Sequence, residues 1–229
     1  MKVIKVMNFP KTEELLDPNH TRAAELLLSF RYPWACLPHL KDFILAVGAT
    51  LGKDFYSPTE GIFISRSASI AESASIAAPC IIGAGSEVRH CAFIRGGVIV
   101  GENCVVGNST ELKNCILSDS VQVPHYNYIG DSLLGYRAHL GAGAIISNLK
   151  SDKTEVLVSF DGGRIATGLR KLGAVVGNRA EIGCNTVLNP GSVIGCGSTV
   201  YPLCSVRGVI PSDSILKPDG KIIQKRKER

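Results

Sequence analysis

Aromatic residues are scarce: they make up 6% of the 229 residues, with a single Trp. A core of that composition is filled by aliphatic and small side chains, which suits a narrow repetitive structure better than a large irregular one. None of the eight cysteines is spaced as CxxC, which argues against a zinc ribbon or a thioredoxin-type centre. Several fall instead where a small buried side chain is wanted, so they are expected as reduced core residues of a cytoplasmic protein. No apolar run approaches the ~18 residues a membrane-crossing helix needs. The opening MKVIKVMNFP lacks a long apolar stretch and a small-residue cleavage site, so it is not expected to be a signal peptide. The net charge of +5 owes much to Lys217–Arg229, and no aromatics interleave with those cations. That segment is expected to be a solvated basic tail, and nucleic acid is not an expected partner.

What the chain has is a period. From Ile64 an aliphatic residue returns every six positions: Ile64, Ile70, Ile76, Ile82, Val88, Ile94, Val100, Val106 and Leu112. Two five-residue steps then intervene, giving Leu117, Val123, Ile129, Leu134, Leu140 and Ile146, and the period resumes at Val176, Ile182, Leu188, Ile194, Val200 and Val206. Four positions after the aliphatic residue the side chain is usually small, as at Ala92, Cys104, Thr110, Ala138 and Ala180. Such a repeat predicts a parallel β-helix: three short strands make one triangular turn, with the aliphatic residue inside and Gly or a polar residue at the corner. Turns stack about 4.8 Å apart and pair their backbones. Twenty-one such positions, at three per turn, give about seven turns.

Residues 1–60 lack the period. Asp17-Pro18 predicts a helix start, Ala23, Leu26, Leu27 and Phe30 recur at helical spacing, and Pro33 breaks the pattern. Leu37 to Leu51 is expected as a second helix ended by Gly52. The whole is expected to cap the first turns of a β-helix over 61–216. Residues 149–173 interrupt the repeat, and VLVSFDGGRIATGL predicts a hairpin turning at Gly162-Gly163. Extruded loops of this kind often serve as lids or subunit contacts.

The register places chemistry. Arg95 follows Ile94 and Lys113 follows Leu112 three repeats later, so both occupy one slot a single turn apart. Two cations about 5 Å apart repel unless an anion lies between them, and Gly130 leaves room beside Lys113. This spacing predicts a phosphate seat, with two solvated surface cations as the alternative reading. His125 stands in VPHYNYIGD, where the repeat stumbles, and imidazole suits general-base work near neutral pH. His90 and His125 share a slot but lie two turns apart, about 10 Å, which is too far for one zinc ion.

Residues 82–148 resemble the acetyltransferase domain of the bifunctional bacterial enzyme that makes UDP-N-acetylglucosamine, through VGNSTELKN, VPHYNYIGDSLLG and HLGAGAIISN. The resemblance implies a single-stranded left-handed parallel β-helix, an acetyl-CoA-dependent transferase acting on a sugar phosphate or nucleotide sugar, and a homotrimer with sites between subunits. It implies that Arg95, Lys113 and Tyr128 hold the acceptor's phosphate, that His125 is the general base and that Asn148 orients the reacting group. It also implies that backbone near Ala142 meets the thioester carbonyl and that the coenzyme runs past Cys184 and Pro202. His139, standing where the family has Asn, is expected against the acceptor. Cys184 replaces a hydroxyl residue, Leu149 a Tyr, and a phosphate-binding Lys is matched only by Lys153, one position off. The uridyltransferase half is not matched. A non-catalytic binding or assembly module and a zinc-dependent carbonic anhydrase of the same fold are the competing readings, and the histidine spacing speaks against the second.

Overall fold

The computed structural model describes residues 9–226; the opening segment through Asn8 and the last three residues of the basic tail lie outside the described residues. Its body is a parallel β-helix of seven full turns and part of an eighth. The first face carries Ile62–Ser65, Cys80–Ile82, Val98–Val100, the second halves of Glu111–Leu117 and Tyr128–Leu134, then Ala174–Val176, Ser192–Ile194 and Val209–Ile210. The second runs from Ser75–Ile76 to Ser205–Val206, and the third from Ser69–Ile70 to Ser214–Leu216. Neighbouring turns pair in register, for example Cys80↔Val98, Ile81↔Ile99 and Ile82↔Val100.

The six-residue period appears inside the prism. Ile82, Val100, Leu117, Leu134, Val176 and Ile194 form one column of a continuous core, with equivalent columns on the other two faces. Each buried aliphatic side chain contributes roughly 1.5–3 kcal/mol, and stacking lets one turn cover the next. The small residues also supply hydrogen bonds at the corners. Thr110 Oγ1 donates to the Val123 carbonyl at 3.0 Å and Ser198 Oγ to that of Pro211 at 2.6 Å. These bonds tie each corner to the turn stacked on it.

The two five-residue steps are where one corner residue is missing. Elsewhere two residues turn that corner, as at Gly96-Gly97, both with positive φ. At the shortened corners the strand runs straight through, and single residues, Asn114 and Asp131, take φ of 48°.

The helical segment does not cap the first turns, as its position in sequence suggested. It runs along the whole first face. At its start the Leu15 carbonyl accepts from the Asn178 N–H, and Cys196 Sγ lies 3.3 Å from the same carbonyl. Midway, His20 stacks on Tyr136 with ring centroids 3.7 Å apart. At its end the Phe63 ring fills the space a side chain on Gly48 would need. The reason lies in the outward positions of that face: Ile81, Ile99, Ile116, Leu133, Val175 and Val193 are apolar and buried, and they form one cluster with Leu26, Leu27, Leu37, Leu40 and Ile44. The helices are shorter than their periodicity suggested. They are α1 (Thr12–Leu15), α2 (Ala24–Leu28) and α3 (Leu40–Gly48), joined by 3₁₀ turns at Pro18–His20 and Pro33–His39. Asp17 caps the first of these turns through the Asn19 N–H. Leu37 and Pro38 belong to the 3₁₀ turn, so α3 begins only at Leu40; the residue before a proline is disfavoured in the α conformation.

The insertion folds as the expected hairpin, Leu157–Phe160 with Gly163–Ala166, but Phe160 pairs with Gly163. The turn is therefore Asp161-Gly162, with φ of 49° and 82°, the pattern of a type I′ turn. The basic segment is not wholly a solvated tail: Ile222–Gln224 folds back antiparallel on Ser214–Leu216 and closes the open edge of the third face.

Candidate functional site

The shortened corners gather polar side chains. Arg95, Lys113 and Gly130 stack as expected, since Leu112 pairs with Ile94 and Lys113 with Gly130. Each cation has a carboxylate partner of the protein's own. Arg95 bonds Glu111 at 2.8 Å, and Lys113 Nζ lies 3.0 Å from Asp131 Oδ2. Asp131 is buried, and it also accepts from Asn114 Nδ2 at 2.9 Å and from Asn148 Nδ2. Tyr128 projects from the second face onto the same spot: a methyl at Gly130 would sit 2.6 Å from its hydroxyl and 2.7 Å from Asn148 Nδ2. Burial, and then the charges of Glu111 and Asp131, hold the Tyr128 phenol above its ordinary pKa, so it stays a hydrogen-bond donor. A cleft of about 470 Å³ opens here, lined by Lys41, Arg95, Gly96, Lys113, Asn114 and Asp131 together with Leu37 and Pro38 of the helical segment.

A second group lies on another corner, between the third and second faces. His125 pairs in register with Asn108, whose Nδ2 donates to the His90 carbonyl, so the two histidines are two turns apart in one column. The column continues upward. Gly143 N–H donates to the His125 carbonyl, Asn185 N–H to that of Ala142 and Leu203 N–H to that of Cys184. His125, Ala142, Cys184 and Pro202 are thus successive rungs of one exposed edge. Buried Asn127 fixes the corner: its Nδ2 donates to the Gly141 carbonyl at 2.8 Å, and its Oδ1 accepts the His125 N–H. The His125 imidazole itself has no hydrogen-bond partner among the described residues, and neither has the Ala142 N–H.

The expected site residues therefore fall into two groups. Arg95, Lys113, Tyr128 and Asn148 converge, while His125, Ala142, Cys184 and Pro202 line a different edge, with one face, roughly 15 Å wide, between them. His139 belongs to neither: it projects from the third face and pairs with Glu181 at 2.8 Å. Asn114, Asp131 and Lys41 were not singled out from the sequence. The five-residue steps signalled the first two; Lys41 carried no local signal.

Residues 76–211 match the family described as the GMPPB C-terminal domain. Among curated relatives, the bifunctional protein GlmU of Methanococcus maripaludis strain C5 is 34% identical over 137 residues, 59% of this chain and 33% of its own length. A bifunctional sugar-1-phosphate nucleotidylyltransferase/acetyltransferase of Sulfurisphaera tokodaii is 37% identical over 111 residues, 48% of this chain and 28% of its own. The chain thus spans about a third or less of the length of these relatives. Among solved structures, a hexapeptide transferase family protein from Anaplasma phagocytophilum covers 72% of this chain and 79% of its own at 18% identity, with a TM-score of 0.41. PerB from Caulobacter crescentus, solved with CoA and GDP-perosamine, covers 70% and 56% at 17% identity, with a TM-score of 0.33. The family match takes in more than half of the chain and both groups of residues, and on that ground the chain belongs to the GMPPB C-terminal domain family.

Proposed function

We propose that the chain is an acyltransferase that moves an acetyl group from acetyl-CoA to a sugar phosphate or nucleotide sugar. The observation that carries this is the exposed column of His125, Ala142, Cys184 and Pro202. It sets an unengaged imidazole and an unengaged backbone N–H on adjacent rungs of one edge. The relatives named for acetyltransferase activity support the same reading. The coenzyme lies along this edge with its thiol end near Ala142. As the acceptor's nitrogen or oxygen attacks the thioester carbon, His125 takes the acceptor's proton, and the Ala142 N–H donates to the developing oxyanion. One such donor is typically worth ~3–4 kcal/mol. Collapse of the tetrahedral species breaks the C–S bond, and the proton taken by His125 passes to the departing sulfur, so the coenzyme leaves as its thiol.

The acceptor's phosphate sits by Arg95, Lys113 and Tyr128. Arg95 can turn to it, because its bond to Glu111 is exposed and such pairs hold only ~0–1 kcal/mol. Since the two groups stand a face apart within one chain, we assign the working site to the junction of two subunits in a homotrimer. Phe93 and Val187 support this: they are large apolar side chains exposed on the second face, between the two corners. The eight cysteines are all free, which fits a reducing compartment such as the cytoplasm. The test is a screen of sugar phosphates and nucleotide sugars with acetyl-CoA, read by thiol release. Turnover of at least one acceptor is expected. Binding of acetyl-CoA with no transfer to any acceptor would favour a binding module, and no binding at all would end the proposal.

A further inference from the structure

The cleft beside Arg95 has one wall that the β-helix does not supply. It comes from α3 and the turn before it, and its charged member is Lys41. Leu40 and Ile44 are fully buried on the first face and fix the helix there, which leaves Lys41 over the corner. A methyl placed on Gly97 would lie 3.3 Å from Lys41 Cε and 3.1 Å from Asn114 Oδ1. Lys41 therefore reaches the same floor as the Asn114–Asp131–Lys113 cluster.

The charges lining this cleft do not cancel. Lys41, Arg95 and Lys113 face Asp131 in the lining and Glu111 beside Arg95, which leaves an excess of one positive charge, that of Lys41. Asp131 is already committed to Lys113, Asn114 and Asn148. Arg95 has Glu111. Lys41 makes no ion pair and no hydrogen bond among the described residues. It also stands in the first turn of α3, where the helix dipole disfavours a cation. Lys41 is exposed at the mouth of the cleft, so its ammonium is free to meet an anion held by Arg95 and Lys113.

We propose that Lys41 is a specificity-determining residue of the acceptor site: with Arg95 and Lys113 it selects an acceptor carrying two negative charges on phosphate over the same sugar without phosphate. The helical segment would then be part of the substrate site as well as a cover for the first face. The identity of the acceptor as a sugar rests on the acyltransferase reading; the anion seat does not. A sugar 1-phosphate and a sugar diphosphonucleoside both carry this charge, and the two are separated by probe.

Calorimetric titration of the full chain with glucosamine 1-phosphate, UDP-N-acetylglucosamine, glucosamine and acetyl-CoA tests this. Lys41→Ala should loosen the phosphate-bearing probe that binds the wild type by about tenfold, the range of one charge-assisted bond. Glucosamine, acetyl-CoA and the thermal midpoint should not move, and Lys41→Arg should restore most of the affinity. Arg95→Ala should loosen the same probe. If Arg95→Ala does so and Lys41→Ala does not, the role of Lys41 is overturned and the Arg95–Lys113 seat stands. If Lys41→Ala weakens glucosamine as much as its phosphate, the residue is structural and the inference fails. If neither variant alters the binding of any phosphate-bearing probe, the anion seat itself is wrong.

Discussion

Lys113 and Arg95 share a column but differ in what their loss leaves behind. Lys113→Ala strands the buried Asp131 carboxylate with only the amides of Asn114 and Asn148, and should cost about 1–3 kcal/mol of stability. Arg95→Ala breaks an exposed pair and should leave the urea midpoint within the ~0–1 kcal/mol of such pairs. Equal effects of the two on stability would mean that Asp131 does not depend on Lys113. The cysteines divide in the same way. Burial pushes the Cys36, Cys80 and Cys104 thiols up to about 12, and Cys115 higher still, whereas Cys91 and Cys184 are exposed. A thiol reagent at neutral pH should modify Cys91 and Cys184 rapidly and the buried ones only on unfolding, and saturating acetyl-CoA should protect Cys184. Protection of Cys91 alone would move the coenzyme off the proposed edge. These raised pKa values also set a pH trend. The buried thiols contribute stability that is fully present below about pH 9 and is lost as pH rises toward 12, because only the unfolded chain ionises them in that window. The denaturation midpoint should therefore fall between pH 8 and pH 10.

At the scale of elements, the period sufficed to place nearly every strand, because an inward aliphatic residue is required at each face of each turn whatever else the chain does. The five-residue steps were visible too, and they mark the corners that build the Asn114–Asp131 cluster. What they do there depends on φ at single residues, which spacing alone does not give. The lateral path of the helical segment was also written in the sequence, in a place the period does not reach. On the first face the residue before the inward one is apolar, giving the unbroken runs Cys80-Ile81-Ile82, Val98-Ile99-Val100 and Cys115-Ile116-Leu117, the mark of strands covered on both sides. On the other faces that position is mixed, with Ser75, Glu87 and Gln122 beside Phe93, Val105 and Val187, and no turn there gives an unbroken run of three buried apolar residues. The packing makes a sharp prediction. Ile44→Ala, at a fully buried contact of α3 with this face, should cost about 2–5 kcal/mol, and Leu45→Ala, on its exposed side, little. Equal midpoints for the two in urea denaturation would show that α3 does not pack as described.

At the scale of the molecule, the two halves of the proposed chemistry stand on different corners of one prism. The base and the coenzyme edge lie on one, and the anion seat on the other. The register of the repeat could bring each half together from sequence, because it fixes which residues stack. The same register holds their separation, since His90 and Arg95 follow successive inward residues, Val88 and Ile94, and so stand on neighbouring corners. A single chain then carries both halves without joining them, and in the proposed trimer the edge of one copy would meet the seat of the next. This is tested most directly by mixing two inactive variants. Coexpressed His125→Ala and Arg95→Ala/Lys113→Ala chains, each intact in one half, should assemble at random into trimers in which about a quarter of the shared sites are whole. Thiol release from acetyl-CoA should accordingly return to about a quarter of the wild-type rate, while each variant alone stays inactive. Mixed assemblies no more active than their separate parts would contradict a site shared between subunits.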